Sequence, residues 1–167
     1  MTMQNIFKRV SNWNEQRYPQ IYSSALTFAL LEEEYQELTD ASKNVDKLDA
    51  LCDIIYVSMG ALWKLKAKHA TLDRLSTFVS SINSIKRPDL GTILLLKTII
   101  NECENEMVDE FNFSNENVIE ALNIVCDAND SKTAKMTHPG IKANINKGDG
   151  FVAPEARLQN LLNRVKL

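Results

Sequence analysis

Glycine and proline are scarce in this chain, five and four among 167 residues. A turn-rich β fold needs more of both, so long regular elements are expected. Cysteine is nearly absent as well. Cys52, Cys103 and Cys126 are odd in number and widely spaced, with no CxxC pair. That excludes a disulfide framework or a zinc knuckle and fits a reducing compartment. A basic excess is missing too: the net charge is -3, which argues against a nucleic-acid binder and predicts no stable nucleic-acid partner. No apolar run approaches the roughly 20 residues that span a bilayer, and the N-terminus lacks the apolar core of a signal peptide. The expectation is a cytoplasmic protein with no membrane partner.

What is present is an ordinary globular balance, 44% hydrophobic and 25% charged. It suits one domain, 1–167, with a sizeable core. Apolar spacing predicts helices over about 5–17, 24–41, 45–69, 71–85, 92–110, 114–129 and 155–167. The second carries Phe28, Leu31, Tyr35 and Leu38 on one stripe. The short connection after it makes the second and third helices an antiparallel hairpin. The fifth opens with Ile93, Leu94, Leu95, Leu96, Ile99 and Ile100, apolar almost all round, which suggests deep burial or a subunit interface. Residues 131–154 hold most of the remaining glycine and proline and read as an irregular, extended arm. The fold class expected is all-α: a helical bundle built on an antiparallel hairpin, oligomeric, with a basic C-terminal arm.

The chemistry concentrates on the hairpin. LLEEEYQEL carries Glu32, Glu33, Glu34 and Glu37, and the next helix carries Asp46, Asp49 and Asp53. At about 100° per residue, Glu34 and Glu37 border the inward face while Glu32 points away. Asp46, Asp49 and Asp53 form one stripe that continues into Tyr56, Val57 and Gly60. Counted from Lys43, Glu37 faces Asp49, and Glu34 faces Asp53. Two layers of carboxylates, one helical turn or about 5 Å apart, repel one another unless a counterion joins them. A hard divalent cation with oxygen ligands, Mg²⁺ or Mn²⁺, relieves that repulsion and keeps positions open for phosphate oxygens. The alternative for such acids is a solvated face, and for Asp46 a helix N-terminus. The arm has the opposite sign. From Ser131 to Gly148 there are four lysines and no acid, whereas Glu32 to Asp53 holds eight acids and two lysines. A chelated triphosphate needs both surfaces. A merely solvated basic tail is the competing reading.

At Glu34-Tyr35-Gln36-Glu37, preceded by Glu33, and at DALCDIIYV the chain resembles the MazG-like, all-α nucleoside triphosphate pyrophosphohydrolase superfamily. That group pairs ExxE on one helix with ExxD on the next. Asp53 matches the family Asp. Ala50 stands where the family has Glu, and Asp49 is the nearest acid that replaces it. CDANDSK followed by NKGDGFVAP is similar to the C-terminal signature of the phage-type, phosphoribosyl-ATP pyrophosphohydrolase-like branch. The matching residues are Asn129, Lys132, Lys147, Gly148 and Pro154. The stretch from Thr71 to Glu110 lies outside the resemblance.

The resemblance implies a metal-dependent hydrolysis of a (d)NTP to the (d)NMP and pyrophosphate, with attack at the α-phosphorus and a place in dNTP metabolism. It implies Glu34, Glu37, Asp49 and Asp53 as metal ligands, Glu33 as the group that positions or deprotonates the water, and Asn129, Lys132 and Lys147 as nucleotide-binding residues. It also implies a homodimer or homotetramer, in the host cytoplasm if phage-encoded. Trp13, Tyr56 and Trp63 are candidates for base stacking, or simply core. Two other readings stay open: a nucleotide-binding regulator on the same fold with little turnover, and a helical assembly protein.

Overall fold

The apolar stripes predicted above converge on one central helix. The structure is a computed structural model that describes residues 1–17, 22–65, 90–132 and 149–165. Among these it forms six helices and no strand: α1 (Met3–Arg17), α2 (Ser24–Asp40), α3 (Asn44–Lys64), α4 (Leu90–Phe111), α5 (Asn115–Ser131) and α6 (Glu155–Val165). The all-α expectation holds. The helix expected over 71–85 and most of the arm lie outside the described residues.

Helix α3 packs against all five others. Its sequence explains why: Leu48, Leu51, Cys52, Ile55, Met59 and Leu62 are each at most 2% exposed. They form one stripe, and Ala50, Ile54 and Ala61 on the opposite side are buried as well, so neighbours are needed on more than one side. The α2–α3 connection is only Ala41 to Lys43, which turns α3 back along α2.

Local chemistry sets the helix ends. Ser23 caps α2 by accepting from the Leu26 N–H at 3.3 Å. Ser114 opens α5 with a reciprocal box: its hydroxyl accepts from the Asn117 N–H, and the Asn117 side chain accepts from the Ser114 N–H. Between α4 and α5, Asn112 adopts φ 55°, the left-handed conformation that Asn tolerates better than most residues.

A polar network ties the outer helices together. Arg9 of α1 donates to Asp127 at 2.8 Å and Asp130 at 2.5 Å on α5, and Arg157 of α6 donates to Asp127 at 2.7 Å. The Val152 N–H donates to Ser131 Oγ at 3.0 Å, so the far end of the arm returns to the end of α5. No described helix is long and apolar enough to cross a membrane. Cys52, Cys103 and Cys126 are buried and unpaired, as their spacing suggested.

Candidate active site

The acidic stripe of α3 is built by periodicity. Asp49 and Asp53 are one turn apart, the positions between them, Ala50, Leu51 and Cys52, are core, and both acids are partly buried. Across the hairpin, α2 presents Glu33 and Glu34, partly buried, and the more exposed Glu37. Glu32 turns to a different face, where it borders an apolar groove with Leu31 and Tyr35.

Asp49 shows what surrounds it. Burial first, then the negative charges of Asp53, Glu155 and Glu37, push its carboxyl up to about 7, while Lys132 acts the other way. The structure thus brings together Glu37, Asp49, Asp53 and Lys132, which lie on three different elements. It adds Glu155, on the first turn of α6, which sequence reasoning missed. An acid at a helix N-terminus is explained locally by the helix dipole, so nothing in the sequence marked it for this neighbourhood.

Lys132 is held in place at the end of α5. Its Nζ donates to Asn129 Oδ1 at 2.7 Å. Asn129 is buried, its Nδ2 donates to the Val125 carbonyl at 3.1 Å, and its own carbonyl accepts from Trp13 Nε1 at 2.9 Å. The side chain of Asn129 is therefore engaged in orienting Lys132. Trp13 meets Tyr56 edge-to-face, with centroids 5.7 Å apart, and both rings are buried. Trp63 is partly buried. Lys147 lies outside the described residues.

The fit to a divalent cation has two sides. Asp49 Oδ1 is buried with no hydrogen-bond donor from the described residues. The donor set is all oxygen, which suits a hard cation. Among the described residues, however, no three acidic, histidine or cysteine side chains converge closely enough to hold one.

The result is an antiparallel helical hairpin that carries acids on both arms, with Lys132 brought close to Asp49 from the end of α5. Residues 2–72 match the family described as phosphoribosyl-ATP pyrophosphohydrolase, a family of the MazG-like all-α nucleoside triphosphate pyrophosphohydrolase superfamily. The matched family is one of pyrophosphohydrolases, hydrolases acting on phosphoric anhydrides. The match covers α1, α2 and α3, the elements that present every hairpin carboxylate. No curated protein matches the chain, and no solved structure does.

Proposed function

We propose that the chain hydrolyses a nucleoside triphosphate, (d)NTP + water giving (d)NMP + pyrophosphate, with Mg²⁺ or Mn²⁺ bound at the hairpin. The observation that carries this reading is the buried, unpartnered Oδ1 of Asp49 among Asp53, Glu37 and Glu155. A carboxylate in that setting is costly to ionise unless a cation takes the charge.

Glu34, Glu37, Asp49 and Asp53 would hold the cation. When bound, it supplies charge neutralisation on the phosphate oxygens and acidifies water. Glu33, partly buried beside Glu34 and Glu37, would orient the attacking water and accept its proton. Lys132, with Asn129 fixing its direction, would meet phosphate oxygens from the opposite side, and Lys147 would join it from the arm. The three buried, unpaired cysteines support a reducing, cytoplasmic setting. The exposed apolar side chains on α2 and α4 support a homodimer or homotetramer.

The test is Asp53→Asn. It removes a charged ligand with little change in shape. Helical content should stay as in the wild type, Mn²⁺ binding followed by electron paramagnetic resonance should be lost, and pyrophosphate release should fall by about 10²-fold or more, the scale of losing a group that stabilises transition-state charge. Undiminished turnover at saturating Mg²⁺ would sink the assignment. Tight nucleotide binding by the wild type without any product would point instead to a regulator on this fold.

A further inference from the structure

Arg17 ends α1 and is 9% exposed, so its guanidinium is desolvated. A buried cation normally sits against a carboxylate, because removing a charge from water costs several kcal/mol unless a partner offsets it. Arg17 has no such partner among the described residues. Its Nη2 donates to the Lys132 carbonyl at 3.0 Å, and its Nη1 lies 3.5 Å from Gln16 Oε1. Its Nε is buried with no acceptor. The planar group lies over the Trp13 ring, 4.9 Å from the centroid, which restrains its orientation and offsets part of its desolvation.

The location is as informative as the missing partner. The residue whose carbonyl Arg17 holds is Lys132, whose Nζ is fixed by Asn129 Oδ1 at 2.7 Å. Trp13, which lies under the guanidinium, meets Tyr56 edge-to-face at 5.7 Å, and Tyr56 stands one helical turn after Asp53 on α3. The guanidinium and the carboxylate layer therefore share one neighbourhood, joined through Tyr56 and Lys132.

We propose that Arg17 is a phosphate-binding residue of this site, its fork kept free of carboxylates for an anion that arrives with the substrate. The inference rests on the reading of the hairpin as a triphosphate site and deepens it by adding a residue of α1. An arginine presents a planar pair of N–H donors that matches two phosphate oxygens, which a lysine does not. Glu37, Asp49 and Asp53 repel a polyanion, so two fixed cations, Arg17 and Lys132, bias its approach to one side of the acidic layer.

The alternative is a purely structural clamp, with Arg17 tying α1 to the C-terminal end of α5, where a cation is favourable. The experiment separates the two in the full-length chain. Inorganic tripolyphosphate binding is measured by calorimetry at saturating Mg²⁺ for the wild type, Arg17→Gln and Arg17→Lys. Mn²⁺ affinity and thermal midpoint are measured on the same samples without phosphate. The proposal expects the tripolyphosphate dissociation constant to rise about tenfold or more in Arg17→Gln, a loss of about 1.4 kcal/mol, and less in Arg17→Lys, with Mn²⁺ affinity unchanged. Unchanged tripolyphosphate affinity in Arg17→Gln, whatever happens to its midpoint, overturns it, as does a wild type that binds Mn²⁺ but not tripolyphosphate. Should Arg17→Gln fail to fold, Arg17→Lys decides: weakened anion binding at an unchanged midpoint supports the proposal, and wild-type affinity overturns it. Failure of the hydrolysis reading shows elsewhere, as turnover that survives Asp53→Asn.

Discussion

Asp49 and Glu104 are both partly buried acids on core-forming helices, and both are pushed up to about 7. Their causes differ. Asp49 is raised by burial and then by three other carboxylates, whereas Glu104 is raised by burial alone. That makes Glu104 the cleaner probe of what desolvation costs this fold. Its ordinary value is 4.5, so the folded state holds the proton more tightly than the unfolded state does. The stability linked to Glu104 is therefore present at acid pH and is lost as pH rises from about 4.5 to about 7. Glu104→Gln should be close to wild type in urea unfolding at pH 4 and more stable by on the order of 1–2 kcal/mol at pH 8, after discounting for partial exposure. A variant equally offset from wild type at both pH values would show that Glu104 is not desolvated in solution.

At the scale of elements, Gly60 governs how closely α1 approaches α3. A Cβ added there would stand 2.9 Å from Asn14 Nδ2 and 3.3 Å from its Cγ. Asn14 is itself buried and donates to the Val10 carbonyl at 2.9 Å, so it yields only by giving up that bond. Ala is otherwise favoured over Gly in a helix by about 1 kcal/mol. Crowding of about 1–3 kcal/mol outweighs this, and Gly60→Ala should lose roughly 1 kcal/mol in thermal unfolding. Asn14→Ala/Gly60→Ala should recover part of the loss relative to Gly60→Ala alone. The absence of any recovery would mean that another contact sets the α1–α3 distance. This crossing matters beyond stability, because the same helix delivers Trp13 to Tyr56 and Arg17 to Lys132.

At the scale of the whole molecule, the other side of the hairpin presents an apolar face. A groove of about 810 Å³ runs between α2, α3 and α4, lined by apolar Phe28, Leu31, Tyr35, Leu38, Leu51 and Ile99, among others. Phe28 is 40% exposed, Tyr35 61% and, further along α4, Leu95 46%. Leu96 and Ile100, by contrast, are consumed by the chain's own core. Of the segment read from sequence as a subunit contact, only part remains outward. A homodimer or homotetramer that covers these side chains is the expected state, seen by light scattering at micromolar concentration. Tyr35→Asp should weaken the assembly about tenfold or more, on the order of 1.4 kcal/mol, with the helical signal retained. A wild-type monomer at that concentration would end this expectation.

Helix type and most helix limits were legible in the sequence because they rest on local physics. Apolar spacing, the Ser114 start and the tight Ala41–Lys43 link act within a few residues. The two acidic stripes were legible for the same reason, since i, i+3 and i, i+4 spacing sets a shared face without knowledge of the rest of the fold. Burial of the α2 stripe was not. Phe28 and Tyr35 have helical spacing with Leu31, yet they stay exposed, because spacing names a face and only packing says what covers it. Arg17 and Glu155 were invisible beforehand. Each is an ordinary residue at a helix end, and each joins the acidic neighbourhood only because α1 and α6 dock against α3. Local periodicity thus determined the helices and the direction of their acids. The tertiary structure decided which distant charges meet there, since charge acts through space while sequence spacing extends only along one helix.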